Sequence, residues 1–305
     1  MSGFASRADL PKISVVTACL NAEKTIERTL RSIEFQEYTN LELIMVDGIS
    51  KDRTLEIVRR YSHIISHLIS EKDRGVAQAI NKGFKHAKGD VFCYLNADDC
   101  FTPGALHRVA EKFMAHPEID VITGSCQRVY ADGSSVITRV PNHFERLMAL
   151  RYDIEQSATF WRTSIHRKVG ELDESYSFAF DWEWWNRFIS NGARFMAIED
   201  VLSVYYFTDD NLTSKAGMQV INEMYRITKK YGPYRGYLAD IYCILFRHFD
   251  MNGYYDQPLD QLSPMRRFIF GATLSILYAI FGREAINAYN WNWASKQIRG
   301  ITWYK

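Results

Sequence analysis

The chain has 305 residues, 47% of them hydrophobic and 24% charged, with a net charge of +1. This is the composition of an ordinary globular protein, long enough for one large α/β domain plus an extension. The near balance of charge gives no indication of nucleic acid as a partner.

The opening MSGFASRADLPK has no apolar core of the kind a signal peptide carries. Ile13–Thr17 (ISVVT) reads as the first strand, and the polar loop Ala18–Glu23 leads into a helix with Ile26, Leu30 and Ile33 on one face. Leu41–Val46 (LELIMV) is the second strand. It ends in the turn-rich Asp47-Gly48-Ile49-Ser50-Lys51-Asp52, before a helix around Leu55–Tyr61. Ile64–Ile69 is a third strand and Glu71–Gly75 a loop. Ala77, Ile80, Phe84 and Ala87 then mark the apolar face of a helix closed by Gly89.

Val91–Leu95 reads as a short buried strand that stops abruptly at Asn96, Ala97, Asp98 and Asp99. Strands alternating with helices imply a doubly wound, mostly parallel sheet with right-handed crossovers. In such a sheet ligands bind in the crevice at the carboxyl ends of the strands. Two carboxylates there suit a hard divalent cation holding a diphosphate. An acidic turn that caps the next helix is the competing reading. No GxGxxG follows the first strand and no Walker A sequence is present, which argues against a dinucleotide or P-loop site.

Further along, Gly104–His116 reads as a helix, Ile119–Gly124 as a strand and Gln127–Arg139 as a hairpin around Asp132-Gly133. Ser157–Trp161 is a short apolar stretch. Phe178–Phe188 sets Asp181 and Glu183 among Trp182, Trp184 and Trp185, and Phe195–Tyr206 reads as closing strands. Past Ser214 the chain turns helical, basic and aromatic. From Lys215 on there are 12 Lys/Arg and 6 Asp/Glu, against 37 and 36 in the whole chain. The domain boundary is therefore set there, with residues 1–214 as the catalytic candidate and 215–305 as a helical extension.

VVTACLNAE after the first strand, VDGISKDRT after the second, SEKDRGVAQAINKG, GDVFCYLNADD and VGELDESYSFAFDWEWWNR occur in this order. Together they resemble the family 2 glycosyltransferases, over roughly Lys12 to Ser214. The resemblance implies a GT-A fold, an inverting sugar transfer, a nucleotide-sugar donor, most simply a uridine diphosphate sugar, and Mn²⁺ or Mg²⁺ as cofactor. It assigns Thr17, Ala18 and Asn21 to the base, and Asp47 to the uracil or ribose. Asp73 goes to a sugar or ribose hydroxyl and Arg74 to the diphosphate. Asn81 bridges loops, Asn96 and Ala97 stand in the metal-binding DXD segment, and Asp98 is the metal ligand, with Asp99 in support.

Asp181 matches the catalytic base, the aspartate of the family's Glu-Asp pair, here Phe180-Asp181. Each residue also has a plainer reading. Asn21 and Asp181 can cap helices, Asp47 can shape an Asx-turn, Arg74 can be surface charge and the tryptophans core. Two departures bear on the metal. Asn96 replaces an acidic residue, and the segment Tyr205–Asn211 (YYFTDDN) lacks the histidine of many relatives, leaving Asp209, Asp210 or water to complete the shell. Gln156 and Ser157 are expected on the acceptor side.

Phe268–Phe281 has 14 residues without a charge, preceded by Arg266-Arg267 and followed by Arg283. A bilayer-spanning helix needs about 20 apolar residues. An interfacial segment or a buried helix fits better, and Tyr254, Tyr255, Tyr278, Tyr289, Trp291, Trp293, Trp303 and Tyr304 supply rings suited to a headgroup zone. Packing on the catalytic domain or on a second subunit of a homo-oligomer is the alternative. The five cysteines are odd in number and form no CxxC, which fits reduced thiols in the cytoplasm. The expected enzyme thus sits in the cytoplasm or on the inner face of the cytoplasmic membrane, and its acceptor is a growing glycan, free or polyprenyl-diphosphate-linked. A sugar nucleotidyltransferase is a rival, although ACLNAE lacks the Gly- and Arg-rich first loop it needs. A non-catalytic nucleotide-sugar-binding module is another.

Overall fold

The computed structural model describes residues 10–140, 154–207, 211, 217–232, 237, 240 and 263–281. These fall into two compact units, the first ending at Asn211. The first begins with four parallel strands: β1 (Ile13–Cys19), β2 (Leu41–Asp47), β3 (Ile65–Ser70) and β4 (Val91–Tyr94). They stand in the order β3-β2-β1-β4 and are joined by helices α1 (Ile26–Glu34), α2 (Thr54–Arg60) and α3 (Val76–His86). The inner strands read as near-continuous apolar runs because helices cover the sheet. Edge strand β3 instead alternates half-buried and exposed positions.

Helix α3 lies close on the sheet. A Cβ at Gly83 would collide with Val16 Cγ1 and come within 3.1 and 3.2 Å of Val16 Cγ2 and Val46 Cγ2. The Asn-Lys-Gly of the sequence is therefore a packing device as well as a motif.

Past β4 the sheet changes direction. Strand β8 (Thr159–Arg162), the short apolar stretch of the sequence, wedges antiparallel between β4 and β6 (Val121–Tyr130). Then come β9 (Phe195–Phe207) and β5 (Cys100–Phe101), with β7 (Ser135–Thr138) hairpinned onto β6 through Asp132-Gly133. The expected closing strands are one long strand, β9, which runs parallel to β6 through a register shift near Ser125. Helices α4 (Ala105–Ala115), α5 (Thr163–Val169) and α6 (Phe180–Ser190) complete the unit.

Trp161 of β8 meets Trp184 and Trp185 of α6 at 5.0 and 5.6 Å between ring centroids, and Phe84 of α3 joins them. Trp182, Trp184 and Trp185 are all buried, in accord with the core reading of these side chains. This aromatic wall fixes α6, and with it the position of Asp181.

The second unit contributes helices α7 (Gly217–Tyr231) and α8 (Pro264–Phe281). On α8, Met265, Phe268, Ile276, Tyr278 and Ile280 are exposed, so these side chains do not fit the buried-helix reading. Among the described residues no helix is long and apolar enough to cross a membrane. The other C-terminal aromatics proposed for a headgroup zone, with Asp209, Asp210, Cys243 and Arg283, lie outside the described residues.

Candidate active site

Strand order reverses at β1, so the crevice opens between the loops after β1 and β4. The loops after β1, β2 and β3 lean on one another there. Gly48 N–H donates to Cys19 O at 2.9 Å, and Glu71 N–H donates to Asp47 O at 3.0 Å.

Thr17 and Ala18 end β1, and the Thr17 hydroxyl is buried without a hydrogen-bond partner among the described residues. Asn21 has φ +51°, accepts from Lys51 N–H at 2.9 Å on Oδ1, and gives its own N–H to Ser50 Oγ at 2.8 Å. It staples the first loop to the second. The helix-cap reading of Asn21 is corrected, because the cap position of α1 is Thr25. Asp47 is fully buried. Its carboxylate accepts from Ile49 N–H, Ser50 N–H and Ser70 Oγ, which makes it the Asx-turn residue of its loop.

Asp73 accepts Gly75 N–H at 2.9 Å, and its Oδ2 sits 2.6 Å from where a Gly48 Cβ would be. A side chain at Gly48 would make the Asp73 carboxylate shift. Arg74 is turned to Glu174, at 2.6 Å. Asn81, buried on α3, exchanges two bonds of 2.9 Å with the backbone of Leu172, so it does bridge two segments.

At the end of β4, Asn96 Nδ2 donates to Asp99 Oδ2 and to Gln156 Oε1, both at 3.2 Å, and Gln156 Nε2 donates to Tyr94 O at 2.6 Å. Gln156 thus braces the acidic loop from β8's side. Ala97 is half-buried beside it. Asp98 accepts Asn211 Nδ2 on Oδ2 at 2.8 Å, and its backbone carbonyl accepts from Arg28 Nη2 at 2.9 Å. Arg28 also lies over the Tyr206 ring, 3.4 Å from its centroid. Burial raises the Asp98 carboxyl above its ordinary range, opposed by the Asn211 bond and the Arg28 charge. Burial, then the Asp98 charge, holds Asp99 well above it, and Asp99 Oδ1 has no partner among the described residues.

Asp181 lies in the first turn of α6. It accepts Trp182 N–H on Oδ1 at 2.7 Å. It does not cap that helix, since Ala179 stands at the cap. Tyr94 lies between the two segments: its carbonyl accepts Gln156 Nε2 at 2.6 Å and its ring centroid is 6.4 Å from that of Phe180. Its phenol is pushed well up by burial and then by the charges of both Asp181 and Asp99. Gln156, bonded to both Asn96 and Tyr94, and the contact of Tyr94 with Phe180 bring the loop after β4 near the start of α6. Glu183 points elsewhere, into a buried pair with Arg187 at 2.7 Å.

What the loop offers a cation is small: Asp98 presents one half-buried carboxylate and Asp99 Oδ1 is an orphaned buried acceptor, while Asn96 and Asn211 turn their Nδ2 donors to these two carboxylates. Among the described residues no three His, Cys, Asp or Glu side chains gather into a metal cluster. One or two carboxylates suffice for Mg²⁺-like ions that take their remaining ligands from water and substrate phosphates. Nothing in the sequence marks Arg28, a single cation on a helix face. Asn211 stands in the Tyr205–Asn211 segment, which lacks the histidine of many relatives.

The model of glycosyl transferase family 2 matches residues 14–170, just over half of the chain. A PGL/p-HBAD biosynthesis glycosyltransferase of Mycobacterium bovis is 30% identical over 196 residues, 60% of this chain and 72% of that protein. Among solved structures, S. aureus TarS 1–349 in complex with UDP-GlcNAc superimposes with a TM-score of 0.58 at 18% identity, covering 90% of this chain and 82% of that one. The mannosyltransferase PcManGT of Pyrobaculum calidifontis, in complex with GDP-Man and Mn²⁺, gives 0.59 at 15% identity, over 93% and 87%. Both structural likenesses concern the fold.

Proposed function

The chain belongs to glycosyl transferase family 2, and on that premise we propose that it performs an inverting, metal-dependent transfer of a hexose or N-acetylhexosamine. The donor is a nucleoside diphosphate sugar, a uridine diphosphate sugar first, and the acceptor a hydroxyl of a glycan, free or on a polyprenyl diphosphate. The observation that carries this reading is the chain of contacts from Asn96 through Gln156 and Tyr94 to Phe180, which brings the loop of Asp98 and Asp99 near Asp181.

Asp181 takes the proton of the acceptor hydroxyl as that oxygen attacks the anomeric carbon, opposite the bond to the departing diphosphate. Its placement in the first turn of a helix locked by the aromatic wall holds it still for that task. Asp98 would hold the Mn²⁺ or Mg²⁺, with Asp99 behind it. Such a cation neutralises charge growing on the leaving diphosphate. The UDP-GlcNAc of TarS and the GDP-Man and Mn²⁺ of PcManGT support a donor and a metal of this class.

Docking of α8 on the inner face of the cytoplasmic membrane fits a lipid-linked acceptor. Its exposed apolar side chains and the basic sequence around it support this.

A thermal-shift screen of UDP- and GDP-sugars with and without Mn²⁺ tests the donor. Asp98→Ala should remove the metal-dependent part of the shift. Asp181→Asn should keep nucleotide binding and lower turnover by roughly 10²–10⁴-fold. Unimpaired turnover in Asp181→Asn would refute the base.

A further inference from the structure

The loop before α3 and the segment leading into α6 are joined at one carboxylate. Glu174 Oε2 accepts from Arg74 Nη2 at 2.6 Å and from Gln78 Nε2 at 2.9 Å. Its Oε1 lies 3.4 Å from Asn81 Nδ2. Asn81 itself is buried, and its two bonds to Leu172 hold the same segment independently. The joint therefore has a fixed half, Asn81 with Leu172, and an exposed half, Arg74 with Glu174.

The exposed half is weak. The Arg74 side chain is 79% exposed and that of Glu174 is 29% exposed. Exposed ion pairs add little stability and are screened by salt. Among the described residues Glu174 is the one acidic partner of Arg74. Arg74 follows Asp73, which packs against Gly48 in the cluster of loops at the strand ends. Its backbone is thus at the rim of the donor crevice while its guanidinium is turned to Glu174. A guanidinium binds phosphate oxygens with the same paired geometry it uses for a carboxylate. A diphosphate also carries more charge than one carboxylate, so it competes well for an exposed arginine.

We propose that Glu174 is a positioning residue that holds Arg74 until a donor binds and then yields it to the donor diphosphate. The exchange registers donor arrival on the segment that leads into Asp181. This rests on the nucleotide-sugar reading above.

Calorimetric titration with UDP and with GDP, at fixed ionic strength, tests it on the wild type, Glu174→Gln, Arg74→Ala and the double variant. Removing the competing charge should tighten nucleotide binding in Glu174→Gln by about two- to fivefold, the scale of an exposed pair. Arg74→Ala should weaken binding by roughly tenfold or more. In the Arg74→Ala background Glu174→Gln should change nothing, and Glu174→Asp, which keeps the charge, should behave as wild type. A merely structural glutamate predicts the reverse: Glu174→Gln would weaken binding whether or not Arg74 is present. Unchanged or weaker binding in Glu174→Gln, or a gain that persists without Arg74, overturns the exchange alone. A wild-type protein that binds neither nucleotide overturns the donor reading with it.

Discussion

Asn211 donates its side-chain amide to Asp98 Oδ2 at 2.8 Å, tying the chain just past β9 to the loop after β4. It stands in the segment where many members of the resembled family carry a histidine that this chain lacks, and it makes contact with the carboxylate itself. Asn211 is buried, so Asn211→Ala would leave an acceptor short of a donor. That should cost about 1–3 kcal/mol in denaturant unfolding. Asn211→Asp sets two carboxylates against each other. It should be less stable than wild type without divalent cation and gain more than wild type when Mn²⁺ and UDP are added.

His166 gives the fold a pH dependence of its own. Its ring lies among Phe84, Phe92 and Trp184, and Nδ1 accepts Trp161 Nε1–H at 3.3 Å. Burial first, then the Arg167 and Arg187 charges, lowers its pKa from 6.5 to about 4. Above pH 6.5 the ring is neutral folded and unfolded, and its contribution is flat. Between 6.5 and 4 the unfolded chain takes the proton and the folded chain resists, so stability falls with pH. A gap of this size corresponds to roughly 3 kcal/mol. Unfolding midpoints at pH 7.5 and 5 should diverge in the wild type and converge in His166→Phe.

Much of this architecture is legible in the sequence, for physical reasons. Parallel strands covered on both faces, such as β1 and β2, appear as apolar runs, and helix faces such as Ile26, Leu30 and Ile33 appear at helical spacing. All three of those helix residues are buried. Strand β8 escapes because four residues are too few to show a period. Arg28 escapes because a lone charge on a helix looks like any solvated charge, and only the folded chain brings it to Asp98 and Tyr206. The tryptophans of α6 could not be divided between core and surface from composition, since their burial depends on what packs opposite, here Trp161 and Phe84.

Gly83→Ala isolates close packing from helix propensity. Alanine in a helix interior gains about 1 kcal/mol over glycine. The added methyl meets Val16 and Val46 on two buried strands. Overpacking of this kind costs about 1–3 kcal/mol. The variant should therefore lose stability, read as a lower denaturant midpoint, and Val16→Ala should recover part of it.

Helix α8 exposes Phe268 and Ile276 on an arc it shares with Met265 and Ile280. If that arc enters a lipid surface, the full-length protein should co-sediment with vesicles containing anionic phospholipid and be released by salt or detergent. Phe268→Glu with Ile276→Glu should abolish co-sedimentation. A concentration-dependent dimer that is lost in the same double variant, with no vesicle binding, would show self-association instead.

The antiparallel insertion of β8 bears on how the protein is made. Until residues 159–162 leave the ribosome, β4 pairs on one side with β1 and its other edge, at Val91 and Phe92, lacks the β8 strand that closes it. An open apolar strand edge invites pairing with other chains. Synthesis thus passes through an interval of vulnerability about as long as the stretch encoded between Cys100 and Ala158. Fragments cut within that interval should clump, whereas those reaching past Arg162 should stay dispersed.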